Sequence, residues 1–456
     1  MRRHSIWGGI GTKDARAPKG IGCDSLVTRI NLLGDDGRLD YGLGQIIDRL
    51  GRRSVWPSDV GVDLLILAAL VNAADTRIMR LRDAQDGWTR EIDLHVPVSA
   101  VASWRGVASA IEEMLRFLTG DIWRVYFRAR AKPSAQIVRQ PTGELPLGHY
   151  NCVSLFSGGL DSFVGAADLL SRRTTRPIFV SHAWDLGTST QKLCAERLGK
   201  SFGDFGPRHV RARIGFPSNL IRKSGSEPTQ RARSFLFFAM AGLTASGLHE
   251  RSTILVPENG LISLNVPLDP LRVGAWSTRT THPFFLARWN DLLRGIGIDA
   301  VVTNPYRFRT KGEMLERCRE PDFVRRWLKD TISCSSISKS RWLGMAPGQC
   351  GHCVPCLIRR AAIKKAFGSD PTKYVALPDL QDAALDTRTA VGEHVRSFQV
   401  MNARLRRAPS LARIIVRKPG PLSDYGDDEV RRYAGVFRRG IFEVGEALST
   451  VDARPL

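Results

Sequence analysis

The chain has 456 residues, 43% of them hydrophobic and 25% charged, and its 67 Lys and Arg residues outnumber 45 Asp and Glu residues to give a net charge of +22. This composition is that of an ordinary globular protein and excludes a disordered, collagen-like or disulfide-scaffold chain. At roughly 150 residues per domain, about two or three domains are expected. The positive charge attracts polyanions, so nucleic acid, nucleotides and acidic proteins are all candidate partners.

Neither membrane insertion nor secretion is expected from this sequence. The longest apolar run, Leu64 to Val71, is far shorter than the ~20 residues that cross a bilayer. The N-terminus, Met1 to His4, leads into glycine and charged residues rather than the apolar core of a secretory signal. We therefore expect a cytoplasmic protein with no membrane partner.

Residues 1–145 are predicted to form an α/β accessory domain without a catalytic motif. Apolar residues at helical spacing and alternating strand patterns follow one another along it. The predicted elements are a helix over Val62 to Ala74, a strand over Trp88 to Val98, a helix over Trp104 to Thr119 and a strand over Asp121 to Ala131. The polar loop from Lys132 to His149 is rich in proline and glycine and is predicted to be a linker.

Residues 150–370 alternate between strand and helix patterns, which predicts a Rossmann-like, doubly wound parallel sheet. In such sheets, ligands bind at the carboxyl ends of the strands. The predicted strands are Cys152–Phe156, Pro177–Ser181, His209–Ile214, Thr253–Val256 and Ala300–Thr303. The predicted helices between them include Ser162–Ser171, Thr190–Phe202 and Arg231–Ser246.

Residues 371–456 are predicted to be a mostly helical, basic C-terminal region. It carries two groups of cations, which form either a solvated helix face or a surface that docks an anion. These residues are Arg404, Arg406, Arg407, Arg413, Arg417, Lys418, Arg431, Arg432, Arg438 and Arg439.

A short apolar strand runs into Ser-Gly-Gly-x-Asp-Ser, and a helix follows. Two glycines without Cβ atoms let the backbone turn tightly and bring N–H groups close to a phosphate, and the start of the helix adds its positive dipole end. The serines can add hydroxyl donors, and Asp161 can hold Mg²⁺. The predicted nucleotide-binding residues are Leu155, Phe156, Ser157, Gly158, Gly159, Leu160, Asp161 and Ser162.

Four of the eight cysteines fall in one short span, with the spacing C-x15-C-x2-C-x2-C. In a cytosolic chain such clustering favours a metal site over disulfides. Four thiolates close a tetrahedral shell and favour structural zinc, while an iron–sulfur cluster is the alternative because C-x2-C-x2-C also occurs in ferredoxins. The predicted ligands are Cys334, Cys350, Cys353 and Cys356.

The glycine-containing loop resembles the PP-loop of N-type ATP pyrophosphatases, and the Gly-Lys-Ser/Thr of a Walker loop does not follow it. Together with Thr331 to Cys334 (TISC) and the other cysteines, it resembles the 7-cyano-7-deazaguanine synthase (QueC) family, although the first two cysteines stand further apart here. Softer matches are Thr310 to Glu313 (TKGE), Gln191 to Gly199 (QKLCAERLG), and Arg233-Ser234 where the family has Arg-Asn.

This resemblance covers residues 150 to about 370, roughly half of the chain. The additional N-terminal and C-terminal regions, with the segments Glu258 to Asn265 and Ser277 to Pro283, resemble the QueC-like subunit of the Qat anti-phage defence systems. That similarity implies protein partners encoded in a defence operon.

The resemblance also implies a chemistry. QueC enzymes use ATP to adenylate the carboxylate of 7-carboxy-7-deazaguanine, release pyrophosphate and pass the acyl group to an amine. Here the amine would be ammonia or an amine on a partner protein. The implied catalytic residues are Asp161, Ser157 and Lys311, and the implied cofactors are ATP, Mg²⁺ and Zn²⁺.

Two other functions remain open. A PP-loop enzyme that modifies tRNA, such as a thiolase, agrees with the basic charge but usually needs a reactive cysteine, for which only Cys194 and Cys318 are available. A non-catalytic scaffold that senses ATP within a defence complex is the other alternative.

Overall fold

The computed structural model describes all residues except 1, 12–13, 15–23, 131–136, 139–149, 173, 184–187, 204, 222–223, 249, 269–278, 336, 338–343, 345–347 and 378. The predicted linker over Lys132 to His149 therefore lies outside the described residues, apart from Ile137 and Val138. Among the described residues, no helix is long and apolar enough to cross a membrane.

The N-terminal unit, the described residues up to 130, is built on a four-stranded parallel sheet in the order β2-β1-β3-β4. Its strands are β1 (Arg3–Gly9), β2 (Ser25–Asn31), β3 (Glu91–Val98) and β4 (Ile122–Ala129). Its helices are α1 (Leu43–Gly51), α2 (Asp59–Arg77), α3 (Arg80–Asp83), α4 (Val101–Gly106) and α5 (Ala108–Thr119).

The structure corrects two of the predicted elements in this unit. The strand predicted from Trp88 begins only at Glu91, because the Asp86 carboxylate accepts hydrogen bonds from the backbone N–H groups of Trp88 and Thr89 and holds a turn there. The single helix predicted over Trp104 to Thr119 is the pair α4 and α5, which meet at Val107. Strands β1 and β2 and helix α1 were not predicted.

A second parallel sheet has five strands in the order β7-β6-β5-β8-β9. The order reverses beside β5, so the connections after β5 and β8 leave in opposite directions and open a crevice at the carboxyl ends of these strands. The predicted α/β class with parallel strands is therefore confirmed. The strands are β5 (Cys152–Leu155), β6 (Pro177–His182), β7 (His209–Ala212), β8 (Ser252–Leu255) and β9 (Ala300–Thr303).

Eight helices accompany this sheet in the described part of the chain before the cysteine cluster. They are α6 (Leu160–Leu170), α7 (Thr188–Phe202), α8 (Phe205–Arg208), α9 (Arg233–Ala245), α10 (Gly260–Leu264), α11 (Pro283–Gly295), α12 (Lys311–Glu316) and α13 (Pro321–Trp327), followed by a 3₁₀ turn over Leu328–Asp330.

The remaining chain is mainly helical, with a short pair of parallel strands. Its elements are α14 (Val354–Phe367), β10 (Leu385–Asp386), α15 (Ala390–Arg407), α16 (Leu411–Ile415), α17 (Asp427–Ala447) and β11 (Ala453–Arg454). The apolar face of α17 packs against α10, α14, α15 and α16, so this region lies against the five-stranded sheet's helices.

Helix α2 joins the two sheets into one core. Every residue from Gly61 to Thr76 is buried, which is the pattern of a helix covered on all sides. One side contacts β3 and the other contacts α9, whose Gly242 leaves room for Leu64: a Cβ on that glycine would come within 2.7 Å of Leu64 Cδ2. The apolar core is therefore continuous from the N-terminal sheet to the five-stranded sheet.

We expect Leu64→Ala to destabilise the whole chain. The side chain is fully buried between α2 and α9, so its truncation should cost about 2–5 kcal/mol. Differential scanning calorimetry should show one transition moved to lower temperature, because both sheets share the core. Leu81→Ala, at a leucine that is 85% exposed, is the matched control and should leave the transition in place. Two separate transitions, with only one moved, would contradict the shared core.

Candidate active site and cysteine cluster

The loop after β5 lies at the crevice of the five-stranded sheet and leads directly into α6. Gly158 has a φ of +82°, which favours glycine, and a Cβ there would come within 2.9 Å of Gln191 Cα. Gly159 is the N-cap of α6, so the first amide groups of that helix face the crevice. A glycine at position 158 is thus required by conformation and by space.

Two serines of this loop hold it closed. Ser157 Oγ lies 3.1 Å from Ser162 Oγ, and the backbone N–H of Ser157 donates to Ser162 Oγ at 3.2 Å. The N–H of Gly159 donates to Ser157 Oγ at 3.2 Å. The N–H of Leu160 donates to Ser333 Oγ at 3.3 Å, from the segment that precedes the first cysteine of the cluster. These amides at the start of α6 therefore have only long hydrogen bonds to hydroxyl groups.

Asp161 forms a buried ion pair with Lys311. Lys311 Nζ lies 2.6 Å from Asp161 Oδ1, and the lysine is only 3% exposed. The other carboxylate oxygen, Oδ2, accepts from the backbone N–H and the side-chain amide of Asn259, at 3.0 and 2.8 Å. Three segments that are far apart in sequence, following β5, following β8 and beginning α12, meet at this carboxylate.

A second carboxyl group, Glu258, stands beside Asp161. Asn259 Nδ2 lies 3.4 Å from Glu258 Oε1, so one amide contacts both acids. Burial would raise the pKa of Asp161, but the charge of Lys311 and hydrogen bonds from Glu258, Lys311 and Asn259 outweigh it and hold that pKa well below its usual range. Burial, then the charge of Asp161, raise the pKa of Glu258 well above its usual range. The two neighbouring carboxyl groups are therefore shifted in opposite directions, Asp161 towards the charged form and Glu258 towards the protonated form.

The N-terminus of α12 is fixed from both sides. Thr310 and Glu313 form a capping box, with Thr310 Oγ1 accepting from the Glu313 N–H at 3.1 Å and Glu313 Oε2 accepting from the Thr310 N–H at 3.0 Å. The buried Glu443 of α17 accepts from Thr310 Oγ1 at 2.5 Å and from the Gly312 N–H at 2.9 Å. The C-terminal region thereby holds the turn of helix that carries Lys311.

Two adjoining cavities open at the crevice. The smaller, of about 320 Å³, is lined by the loop from Ser157 to Ser162, by Lys311 and by the segment Ile332 to Ser335. The larger, of about 710 Å³, is lined by three arginines, by Thr229 and by Phe237. Both cavities are bounded by the two loop serines, Arg233, Pro257, Glu258 and Cys334.

The four cysteines predicted as ligands come together. Their sulfur atoms all lie within 4.8 Å of one another, with 3.7 Å between the sulfurs of Cys334 and Cys353 and 3.9 Å between those of Cys350 and Cys356. A tetrahedral ion with sulfur at about 2.3 Å separates its ligands by about 3.8 Å. The cluster could therefore hold one metal ion, and its dimensions are compatible with zinc.

The cysteine cluster also braces the glycine-containing loop. Buried Arg359 of α14 donates to Thr331 Oγ1 at 2.8 Å, and Gln349 Nε2 donates to the Thr331 carbonyl at 2.8 Å. The next two residues contact the loop. The Ile332 N–H lies 3.4 Å from the Gly158 carbonyl, and Ser333 Oγ accepts from the Leu160 N–H. The segment from Ile332 to Cys334, which leads into the cysteine cluster, thus forms one wall of the smaller cavity.

Most of the residues predicted for the nucleotide site lie where a ligand could reach them. Ser157 to Ser162 line the smaller cavity with Lys311, and Leu155 lines the larger one. Phe156 does not: its ring is fully buried against Phe179 and Phe205, so only its backbone belongs to the loop.

Glu258 and Asn259 are site residues that no sequence motif predicts. In the sequence they belong only to the segment of family resemblance from Glu258 to Asn265. Their position directly after β8 was the available signal, because side chains at the carboxyl ends of neighbouring parallel strands meet at one edge of the sheet.

No protein-family model, curated protein or solved structure matches this chain.

We expect Gly158→Ala to disrupt the loop and Gly199→Ala to be harmless. The first change adds a methyl group 2.9 Å from the Gln191 backbone at a positive φ, whereas a Cβ on Gly199, in α7, would meet nothing within 4 Å. Gly158→Ala should cost about 1–3 kcal/mol, and Gly199→Ala should be neutral or stabilising by up to about 1 kcal/mol. Chemical denaturation measures both. Equal effects would contradict the loop geometry.

Proposed function

We propose that this chain is a QueC-like enzyme that uses ATP to adenylate a 7-carboxy-7-deazaguanine-type carboxylate and passes the acyl group to an amine, in the service of anti-phage defence. The observation that carries the proposal is the meeting of the Ser-Gly-Gly-x-Asp-Ser loop, the Lys311–Asp161 pair and Glu258 at the boundary of two adjoining cavities. The smaller cavity would take the phosphates, and the larger would take the carboxylate.

The phosphate site would use the start of α6. The amides of Gly159 and Leu160 now donate long hydrogen bonds to serine hydroxyls, which phosphate oxygens would replace with shorter, charge-assisted ones. Lys311 would add a cation, held in place by Asp161 and by the capped end of α12. Developing charge on the phosphates would then be met by donors that are already positioned.

The donor set beside this loop fits Mg²⁺. The ion prefers carboxylate oxygens and shares its remaining positions with water and phosphate. Asp161 and Glu258 would hold it, and its positive charge would favour the ionised form of Glu258 and so oppose the rise in that pKa. When bound, the metal would neutralise phosphate charge. The protein's own part is to keep both carboxyl groups together through Asn259 and to screen them with Lys311.

The reaction balances as two transfers. A carboxylate oxygen attacks the α-phosphorus of ATP, the bond from that phosphorus to the β-phosphate bridging oxygen breaks, and pyrophosphate leaves. The amine nitrogen then attacks the acyl carbon, the bond to the AMP oxygen breaks, and AMP leaves while the nitrogen loses a proton. With ammonia, a second ATP would activate the amide oxygen in the same way, with loss of pyrophosphate. The nitrogen would then lose both protons as the bond from carbon to the AMP oxygen breaks, giving the nitrile and AMP. Both rounds require the reacting atoms to be held in line.

A sulfur-transferring tRNA enzyme fits less well. Its candidate thiols, Cys194 and Cys318, are buried, and burial raises the pKa of each to about 12. Both are therefore thiols rather than reactive thiolates near neutral pH. Cys194 instead supports the loop, with its sulfur 3.6 Å from the Gly158 carbonyl.

We also propose that the metal in the cysteine cluster is zinc with a structural role. Four thiolates would fill all positions of a tetrahedral ion, so none is left for a substrate. The bound ion would hold Ser333 against Leu160 and so maintain the wall of the smaller cavity.

Glu258→Gln should abolish pyrophosphate release without unfolding the protein. Glutamine resembles the protonated carboxyl group but cannot supply a charged ligand to Mg²⁺, so the rate with ATP and 7-carboxy-7-deazaguanine should fall by about 100-fold or more. Glu250→Gln, at an exposed glutamate before β8, is the matched control and should retain the wild-type rate.

The stability of these proteins should respond differently to pH in the absence of metal. The folded wild type keeps the proton of Glu258 at higher pH than an unfolded chain does, so the stability this gives is present at low pH and is lost as the pH rises through the raised pKa. Residue 258 cannot ionise in Glu258→Gln, so the melting temperature of this variant should rise relative to that of the wild type as the pH increases.

A wild-type rate of pyrophosphate release in Glu258→Gln would contradict the proposed role of Glu258. Asp161→Ala is a poorer test, because it deprives buried Lys311 of its partner at a cost of about 3–5 kcal/mol.

Cys353→Ser should lower solubility and melting temperature rather than affect catalysis alone. A structural zinc contributes about 10 kcal/mol or more of apparent binding free energy, which is coupled to folding. The purified wild type should be colourless and hold one zinc per chain by mass spectrometry of the metal. Cys318→Ser, at a buried cysteine outside the cluster, should keep the metal. A brown protein that contains iron and sulfide would show that the cysteines hold an iron–sulfur cluster and not zinc. A metal-free variant of full stability would show that the four cysteines are not a metal site.

A further inference from the structure

The larger cavity is strongly basic. Arg231, Arg233 and Arg279 line it, and Glu258 is the one acidic residue among its described lining residues. Burial lowers the pKa of Arg233 and of Arg279 to about 10, so both remain cations near neutral pH although they are partly removed from water. A cavity of this kind favours an anionic ligand, and charge-assisted hydrogen bonds are strengthened where water is scarce.

Two of these arginines are anchored by the end of helix α5. Arg231 Nη1 donates to the Thr119 carbonyl at 2.9 Å, and Arg279 Nη1 donates to the Phe117 carbonyl at 2.9 Å. The last carbonyl groups of a helix lack partners within it and form the negative end of its dipole, so they attract cations. The guanidinium of Arg279 also lies over the Phe117 ring, at 4.8 Å from its centroid.

Trp88 of the N-terminal unit contacts Arg231 from another side. The Arg231 guanidinium lies 4.3 Å from the centroid of Trp88, whose side chain follows the turn at Asp86. Thr229, which also lines the cavity, accepts from Arg80 Nη1 at 2.9 Å. The backbone of this cavity segment is fixed as well, because the Ala232 N–H donates to Asp75 Oδ2 at 2.8 Å.

Those anchors belong to a buried ion network of the N-terminal unit. Arg90 lies 2.9 Å from Asp75 and 2.6 Å from Asp121, and Arg80 lies 2.7 Å from Asp121. The network leaves its members little freedom, because moving one charge would leave another unpaired in the interior. The cavity segment from Thr229 to Ala232 is therefore tied by hydrogen bonds to the buried network of the N-terminal unit.

We propose that the N-terminal unit is part of the substrate site: Trp88, Phe117 and Thr119 are positioning residues that hold Arg231 and Arg279 toward the carboxylate of the bound substrate. This inference rests on the proposed function for the identity of the ligand. Arg231 uses one of its five N–H donors on Thr119, and a planar guanidinium can donate two parallel hydrogen bonds to a carboxylate. The ligand would be a planar heterocycle bearing a carboxylate, and the removal of its charge should remove most of its affinity.

Calorimetric titration with two probes tests this directly. The first is 7-carboxy-7-deazaguanine, and the second is 7-deazaguanine, which lacks the carboxylate. The wild type should prefer the acid. Arg231→Gln should reduce that preference by about 10-fold or more, and Trp88→Ala, at a residue that is 42% exposed, should reduce it by about 2–5-fold. Tyr126→Ala, at an aromatic residue of β4 that is 46% exposed, is the matched control and should leave the preference unchanged.

Kinetics separate positioning from a general loss of structure. Trp88→Ala should raise the KM for the acid, while kcat and the KM for ATP stay at wild-type values and the melting temperature is retained. An equal rise in the KM for ATP, or an equal loss in Tyr126→Ala, would overturn the inference.

The two proposals can fail separately. The inference stands if the wild type binds 7-carboxy-7-deazaguanine in preference to 7-deazaguanine and if Arg231→Gln and Trp88→Ala reduce that preference. If no pyrophosphate is released in that case, only the proposed reaction fails. If the wild type does not distinguish the two probes, or if both variants bind like the wild type, the inference is overturned whatever the activity.

Discussion

The buried ion pair between Asp161 and Lys311 is the constraint on which the rest of the site depends. Two charges removed from water are costly unless every remaining donor and acceptor is satisfied. Asn259 supplies two hydrogen bonds to the carboxylate, and Glu258 stands beside it with a raised pKa. The loop after β5, the loop after β8 and the start of α12 must therefore keep one mutual arrangement. All three line the smaller cavity, and the two loops also line the larger one.

Both regions outside the central sheet stabilise parts of this arrangement. The C-terminal helix α17 contributes Glu443, which binds the first turn of α12 and so fixes the backbone of Lys311. The N-terminal unit contributes the end of α5, which holds Arg231 through Thr119. Because the end of α5 also binds Arg279 through the Phe117 carbonyl, the arginines that line the larger cavity depend on the N-terminal unit as well as on the central sheet.

Local patterns made part of this structure predictable. The loop from Ser157 to Ser162 and the closely spaced cysteines are encoded within short stretches, where residue type and spacing determine the geometry. Strands β1 and β2 lack such a signal, because glycine and charged residues interrupt their apolar pattern. Their structure is decided by pairing within the sheet, where β1 lies between β2 and β3. The contact between Arg231 and Thr119 joins residues 112 positions apart, so no local pattern could indicate it. Glu258 differs, because its position after a predicted strand places it at the edge of the sheet, although its shifted pKa arises only beside Asp161.

The most direct test of the proposed adenylation is the fate of a labelled oxygen. The protein is incubated with ATP, Mg²⁺, ammonia and 7-carboxy-7-deazaguanine carrying oxygen-18 in its carboxylate, and the products are examined by mass spectrometry. Attack of the carboxylate on the α-phosphorus predicts AMP that contains one oxygen-18 atom, together with unlabelled pyrophosphate. Production of ADP and phosphate, or of AMP without the label, would contradict adenylation of the carboxylate.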